Sequence, residues 1–335
     1  MFSSALPIPG RPERVSIFGR TPVARFTASG LSSNTGKISV QFDRYIELDT
    51  EGTELFSTDT SHWPETCGAP AVVVFRSELT RMLSDAVGLE NFRFDHDVVS
   101  VENAGDMAIC HFGNGESYQD DVLIVADGIN SQVHEQLIGG VTFRPNEIYA
   151  YRFRSVIDLS DVDVDPRAQA DFYTREGWLS FIPIGKGKAD CFRSVSGAKS
   201  FDDFIGFFSS CTKTPIPETL RSTPPELLVQ SPLQDVDSIP YKWTYGRIVY
   251  IGDAAHPMMP DMALGAGQTS VDALAIRDAF VETDSAEEAL HAFKTRRLEV
   301  AKAVVKITQK GLFLGPYNVD PLANQHKNES QSLAV

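Results

Sequence analysis

Residues 246–280 read GRIVYIGDAAHPMMPDMALGAGQTSVDALAIRDAF, and the fold turns on how this stretch is parsed. Its opening, GRIVYIGD, is apolar without alternation, the pattern of a strand covered on both faces. Asp253 stands just past the carboxyl end of that strand. Pro257 and Pro260 then turn the chain, and Gly265, Ala266 and Gly267 precede a helix expected over Thr269 to Val281 with Ala273, Ile276 and Ala279 on one face. In an open α/β sheet the carboxyl ends of strands are where ligands bind. A carboxylate there accepts hydrogen bonds from sugar-type hydroxyls, and small residues at a helix start let backbone N–H groups approach an anion.

Working outward, DDVLIVADGINSQVHEQL (residues 120–137) repeats the theme: a continuous apolar run, Val122 to Ala126, ends on Asp127-Gly128 and leads into a helical pattern. The run is expected in the middle of a covered sheet. Before it, VVSVENAGDMAICHFGNGESY reads as a hairpin about Gly105 followed by a turn at Gly113-Asn114-Gly115. AVVVF (residues 71–75) is a short strand, and RSELTRMLSDAVG sets Leu79, Met82, Leu83 and Val87 on one helical stripe with Gly88 as the stop. ISVQFDRYIELDTEGTELF (residues 38–56) alternates about a Glu51-Gly52 turn, which predicts a hairpin with one buried face.

Residues 148–235 hold strand-like IYAYRFRSVI, ADFYTREGWLSFIPI and ADCFRSVSG, a helical SFDDFIGFFSS and a Pro-rich link, the composition of a mostly antiparallel second layer. A long helix opens at Ser285 with Glu288 completing a capping box and runs to about Gly311. Residues 1–37 show only short β-prone runs, Arg14 to Phe18 and Val23 to Phe26, and the polar tail reads as disordered.

The 335-residue chain is 42% hydrophobic, enough for a buried core, and carries a formal charge of −15. An acidic surface repels nucleic acid and anionic membranes, so a small molecule is the expected partner. Cys67, Cys110, Cys191 and Cys211 form no C-x-x-C pair, which points away from zinc or a disulfide framework and towards buried thiols. No metal is expected. The N-terminus lacks a leader pattern and no run approaches the ~18 apolar residues of a membrane span, so the expected location is cytoplasmic.

Taken together, GDAAHPxxP followed by GAGQ and DA strongly resembles the FAD-dependent aromatic hydroxylases, the group A flavoprotein monooxygenases with their salicylate hydroxylase-like branch. The resemblance implies that Asp253 binds the ribityl chain and that Gly265, Ala266 and Gly267 supply backbone donors to the flavin ring, whose negative charge a helix N-terminus stabilises. ADG at residues 126–128 resembles the family's aspartate-glycine motif, a segment that serves FAD and pyridine nucleotide. Ser131 keeps its place there, and His134 stands where an arginine is usual. VVFRSELTRML resembles the strand–Arg–helix segment, which makes Arg76 a candidate beside the FAD phosphates, since a guanidinium binds phosphate oxygens bidentately. IYAYRFRSV resembles the segment that carries an arginine near the substrate, which singles out Arg152 as the catalytic candidate.

The family's leading dinucleotide unit needs G-x-G-x-x-G. The three Gly-x-Gly pairs here, Gly113/Gly115, Gly185/Gly187 and Gly265/Gly267, have Tyr118, Asp190 and Ser270 where the third glycine belongs. Ala263-Leu264 and Val271 also depart from the pattern.

The expected architecture is α/β (α+β): an incomplete Rossmann-like FAD/NAD(P)-binding layer, an inserted antiparallel sheet and a C-terminal helix. Its parts are an irregular segment 1–37, an FAD-binding-like domain from 38–147 and 236–283, a substrate layer 148–235, a helix 284–315 and a tail 316–335. The activity implied is FAD-dependent hydroxylation or epoxidation of a planar or polycyclic molecule in secondary metabolism, using NAD(P)H and O2. Two alternatives stand beside it: a non-redox cyclase or isomerase with His256, Arg152 or Tyr151 as acid–base groups, and an inactive truncated homologue. Phe172, Tyr173, Trp178 and Phe181 suit either a substrate wall or a core.

Overall fold

The computed structural model describes residues 15–18, 39–67, 70–139, 143–158, 165–173, 177–185, 187–195, 229–236, 239–240, 242–259 and 263–311, with isolated positions between 200 and 217. The chain divides into two compact units. One comprises Met1–Ala5, Ser84–Asn146 and Asp235–Lys310; the other comprises Leu6–Leu83, Glu147–Gln234 and Gly311–Val335.

The second unit is built on strands β1 (Val15–Phe18), β2 (Ser39–Gln41), β3 (Arg44–Leu48) and β4 (Glu54–Asp59), a short helix α1 (Trp63–Cys67), and β5 (Val72–Phe75), which leads into α2 (Arg76–Val87). Alternation in β3 and β4 produces the expected hairpin, closed by Asp49, whose carboxylate accepts from the amides of Glu51 and Thr53, both at 2.8 Å.

In the first unit, β6 (Val98–Ala104), β7 (Met107–Phe112) and β8 (Ser117–Asp120) form an antiparallel meander, as the glycine turns predict. β7 buries every second residue, Ala108, Cys110 and Phe112, as period-two side-chain alternation requires. β9 (Leu123–Val125) then leads to α3 (Gln132–Ile138), capped by Ser131, whose hydroxyl accepts from the His134 amide at 3.0 Å.

The inserted layer follows: β10 (Phe143–Asp158), β11 (Ala168–Tyr173), β12 (Gly177–Gly185), β13 (Lys188–Val195) and β14 (Val229–Val236). Together with the hairpin they make a seven-stranded sheet in the order β14-β10-β13-β12-β11-β3-β4. β3 lies parallel to β11, with Glu47 opposite Asp171, across a separation of over a hundred residues. β3 and β4 thus belong to the sheet of residues 148–235 rather than staying with the rest of the 38–147 stretch. Alternation says that one face of a hairpin is buried, not which sheet it joins.

The chain returns to the first unit through β15 (Thr244–Tyr245) and β16 (Ile248–Tyr250), then α4 (Gly265–Glu282) and α5 (Ala286–Gly311), where the Glu288 amide donates to the Ser285 hydroxyl at 3.2 Å. β16 pairs with β15 antiparallel and with β9 parallel. β9, expected at the centre of a covered sheet, ends this three-stranded sheet among the described residues, and Ile124 is 38% exposed. A short apolar run sets burial preference but does not specify a partner on each side.

A core of Val125, Val133, Trp243, Tyr250, Ile276, Phe293 and their neighbours packs α4 and α5 against β16 and β9. Among the described residues no helix is long and apolar enough to cross a membrane. The run Val23 to Phe26 and the tail 316–335 lie outside the described residues, as does the expected helix in residues 200–210 apart from isolated positions.

Candidate functional site

The parallel pair β9–β16 brings two acidic residues to one edge. The Ile251 amide donates to Val125 O at 3.0 Å, so the pairing runs to the strand ends, where Asp127 follows β9 and Asp253 follows β16. Past β16 the chain makes one 3-10 turn over Gly252–Ala254. Gly252 has φ of +58°, and a Cβ there would stand 2.8 Å from Thr269 Oγ1 of α4. Only glycine meets both the left-handed backbone and the close approach of the helix.

That contact sets the exposed Asp253 against the start of α4. A Cβ added to Gly265 would lie 3.9 Å from Asp253 Oδ1, and space remains. α4 begins at Gly265, four residues earlier than the sequence pattern suggested, because Gly, Ala and Gly carry no periodic signal yet accept helical backbone. Its N-cap, Leu264, has no side chain that caps, and the first turn has no acidic residue. The first amides of a helix lack partners inside it, so Gly265, Ala266 and Gly267 present donors and the positive end of the helix dipole. Just ahead of them Ala263 holds φ of +53°, a conformation that costs an L-residue on the order of 1–2 kcal/mol.

Behind this edge lies a charged network that sequence reasoning missed. Asp272, fully buried on α4, accepts from the Gly252 amide at 3.0 Å, His256 Nε2 at 2.5 Å and Arg297 Nε of α5 at 2.7 Å. Arg297 Nη2 also donates to Gln268 Oε1 at 2.7 Å. Burial pushes the Asp272 carboxyl up, but the His256 hydrogen bond, the charges of His256 and Arg297 and the Gly252 amide outweigh it and hold it below its ordinary value. The network clamps the strand end, the start of α4 and α5 together. A signal was available: Asp272 shares the buried stripe of Ile276 and Ala279, and Arg297 falls between Phe293 and Ala301 on α5, core positions that admit charge only when paired. His256, offered as an acid–base group, is instead fully buried, bonded to Asp272 and packed on Trp243 at 5.4 Å between ring centroids.

His134 is buried as well, at 1% exposure, edge-on to the Tyr250 ring at 5.2 Å. Neither of its ring nitrogens has a hydrogen-bond partner, nor has the buried Oδ1 of Asp127. Burial pulls the imidazole below its ordinary value, opposed by the charges of Asp127 and Glu135.

Arg76 and Arg152 belong to the other compact unit. Arg76 is exposed at the start of α2. Arg152 lies on β10 in register with Ser194 of β13, which in turn is opposite Trp178 of β12 and, through it, Tyr173 of β11; its side chain, like that of Tyr151, lies outside the description.

The same face carries a polar cluster that the sequence did not announce. Tyr45 Oη contacts Glu47 Oε1 at 2.9 Å and Asp171 Oδ2 at 3.0 Å, while Ser180 and Gln169 donate to Asp171 Oδ1. Burial pushes the Asp171 carboxyl up to about 6 against those hydrogen bonds, and the nearby Glu47 charge adds to the rise. Tyr173 and Trp178 stack on this face at 6.4 Å, whereas Phe172 and Phe181 meet edge-on at 5.6 Å in the core on the other.

The site's chemistry fits a flavin at its hydroxylated and ring end. An exposed carboxylate, a bare helix N-terminus with room beside Gly265, and an orphaned Asp127 oxygen match sugar-type hydroxyls and an electron-rich ring. Among the described residues no group of three His, Cys, Asp or Glu side chains could hold a metal.

Comparison with known proteins agrees. The sequence model of a family described as FAD binding domain matches residues 24–308. Aurachin C monooxygenase/isomerase of Stigmatella aurantiaca is 28% identical over 273 residues, covering 77% of this chain and 68% of that protein. FAD-dependent urate hydroxylase of Mycolicibacterium vanbaalenii is 28% identical over 293 residues, 84% of this chain and 73% of that one. In fold, Klebsiella pneumoniae HpxO complexed with FAD and uric acid superposes with a TM-score of 0.82 at 19% identity, covering 96% of this chain and 83% of that one. A salicylate hydroxylase substrate complex gives 0.79 at 18% identity, over 94% and 84%.

Proposed function

The chain belongs to the FAD binding domain family, and from that premise we propose that it oxygenates a planar small molecule, with NAD(P)H as reductant and O2 as co-substrate. It is an FAD-dependent monooxygenase, an oxidoreductase, of the mixed helix-and-sheet fold shared with HpxO and salicylate hydroxylase. The observation that carries the proposal is the pairing of Asp253 with the open start of α4 at the carboxyl end of β16.

In this reading Asp253 accepts hydrogen bonds from the ribityl hydroxyls. The amides of Gly265, Ala266 and Gly267 face the flavin ring, and Arg76 neutralises phosphate. FAD, when bound, supplies the two-electron redox centre that reaction with O2 requires. The protein's own part is to bind, orient and exclude water. Asp272, His256 and Arg297 keep the strand end and the helix start in fixed relation, which preserves the geometry on which the Asp253 contact depends. Arg152 is the residue proposed beside the substrate, and the stacked Tyr173 and Trp178 offer a flat aromatic surface on the same face of the sheet. Urate and 6-hydroxynicotinate, the substrates that two relatives' names give, are planar, and a molecule of that shape suits this surface. A cytoplasmic location completes the proposal, since Cys110 is a free, buried thiol.

The test is FAD binding, read by flavin absorbance of the purified protein and by fluorescence titration. Wild-type protein is expected to take up FAD near one equivalent. Asp253→Ala, which removes charge-assisted hydrogen bonds of about 1.5–3 kcal/mol, is expected to weaken uptake roughly 10- to 100-fold. Unchanged affinity in that variant refutes the ribityl assignment; no uptake by wild type refutes the cofactor site.

A further inference from the structure

On the face of the seven-stranded sheet that carries Tyr173 and Trp178, the polar contacts ask for more hydrogens than the hydroxyls supply. Glu47 and Asp171 are buried, while Tyr45, Gln169 and Tyr173 are half-buried around them. Tyr45 Oη lies 2.9 Å from Glu47 Oε1 and 3.0 Å from Asp171 Oδ2. A phenol has one proton and can give it to one of the two. Burial and the nearby carboxylates push Tyr45 and Tyr173 well up, so neither sheds its proton. Tyr173, which reaches Glu47 Oε1 at 3.5 Å, brings a proton that does not lie between Tyr45 and either carboxylate. With both carboxyls ionised, one of them faces a hydroxyl lone pair inside the protein with no hydrogen between the two oxygens. The count closes when one carboxyl carries a hydrogen of its own. Asp171 Oδ1 already accepts from Ser180 Oγ, and from Gln169 Nε2 at 3.3 Å, which leaves Oδ2 as the oxygen that bears the proton and donates it to Tyr45. Tyr45 then donates to Glu47.

The remaining neighbours bring no counter-charge. Opposite Tyr45 and Glu47, β4 places Thr58 and Phe56. β2 and β5, packed on β12, hold no ionisable side chain. From β12 come Ser180 and Trp178, and the register runs on from Ser180 through Phe192 of β13 to Arg154 of β10, two strands farther away. The charge that acts on Asp171 is that of Glu47.

We propose that Asp171, Tyr45 and Glu47 hold one shared proton on Asp171 Oδ2, and that its release switches the sheet face beside Tyr173 and Trp178 from a closed hydrogen-bonded chain to two carboxylates competing for one phenol proton. With the proton in place the donors run one way, from Asp171 to Tyr45 to Glu47. Once it leaves for solvent, Tyr45 serves one carboxylate at a time and the other repels its neighbour. Tyr173, hydrogen-bonded to both Tyr45 and Glu47, then loses its fixed place against the Trp178 ring, on which it stacks at 6.4 Å. The rise of the Asp171 carboxyl to about 6 puts the release just below neutrality. The proton count stands on the sheet alone; its bearing on a bound planar molecule rests on the reading of Tyr173 and Trp178 as the substrate surface.

The experiment is infrared difference spectroscopy of the full chain between about pH 5 and pH 8, which reads the carbonyl band of a protonated carboxyl, in wild type, Asp171→Asn and Tyr45→Phe. Circular dichroism confirms that each is folded. Wild type is expected to show an acid band that disappears through about pH 6, and Asp171→Asn to lack it. In that variant the amide N–H takes the place of the acid O–H towards Tyr45 and keeps the chain closed. Tyr45→Phe decides the direction of the bond. It removes two hydrogen bonds from the protonated chain and one from the ionised form, so the band is expected to vanish about one pH unit lower, a tenfold easier ionisation. Release that moves up instead means that Tyr45 serves the ionised carboxylate, and overturns the proposal. If Tyr45→Phe does not fold, Glu47→Gln replaces it: its amide supplies the missing hydrogen, and a band that stays where it was in wild type overturns the count. Trp178 emission, isolated by difference from Trp178→Phe, is expected to follow the same titration and to stay level in Asp171→Asn; emission indifferent to pH in wild type overturns the switch. Protein that takes up no FAD yet shows both titrations overturns the flavin reading and leaves this one standing, and FAD uptake without the acid band does the reverse.

Discussion

Two aspartates, one in each unit, are almost equally buried and behave in opposite ways. Asp272 is 0% exposed and is held below the usual carboxylate range, whereas Asp171 is 6% exposed and is pushed up to about 6. Both lose hydration and both accept three hydrogen bonds. The difference is the company: Asp272 meets the Arg297 guanidinium at 2.7 Å, while Asp171 is reached by neutral Tyr45, Ser180 and Gln169 and by the like-charged Glu47. Hydrogen bonds offset part of the cost of burying a charge, and a counter-charge offsets the remainder.

The sharpest way to break the contrast is to remove the cation. Arg297→Met leaves Asp272 buried without compensation and is expected to lower stability by about 3–5 kcal/mol in urea unfolding at neutral pH. Loss below about 1 kcal/mol would mean that the guanidinium is dispensable to the clamp.

Removing the charge from the other aspartate should do the reverse. The folded-state pKa of Asp171 lies above its unfolded value of 3.8, so its contribution is complete below that value and is lost as pH rises through about 6. The loss amounts to at most about 3 kcal/mol between those limits. Asp171→Asn is expected to flatten that arm of the pH–stability curve; an unaltered arm would place the penalty elsewhere. Asp272 acts with the opposite sign. Its lowered carboxyl stabilises above 3.8, and the gain fades as pH falls through the folded value, so Asp272→Asn should remove an acid-side slope instead.

The smallest effect expected is at Ala263, outside both charge networks. Ala263→Gly relieves a left-handed backbone at the price of unfolded-state entropy, for a net gain of roughly 0.5–1 kcal/mol in thermal unfolding. Destabilisation would show that the Ala263 methyl makes contacts worth more than the strain.

The two regions also differ in how much of them could be read from the chain. Strand, turn and helix in 246–280, the β6–β7 hairpin and the Ser285 cap were legible because each is written in a local period or a local cap. Asp253 and Gly265 to Gly267, the proposed flavin contacts, were candidates from the same local pattern, and the left-handed turn at Gly252 brings the strand end against the start of α4. Arg76 and Arg152 are proposed from the family pattern alone; the elements that carry them, the start of α2 and strand β10, formed as expected.

The clamp and the sheet cluster were not legible in this way. Asp272 and Arg297 lie 25 residues apart on two helices, and Tyr45 and Asp171 lie 126 apart on two strands. By itself the sequence determined the elements and the acidic strand ends, because backbone preference and hydrophobic period act over a few residues. The tertiary structure decided which carboxylate meets a guanidinium and which a tyrosine, because partner choice is settled by packing and loop closure over the whole chain.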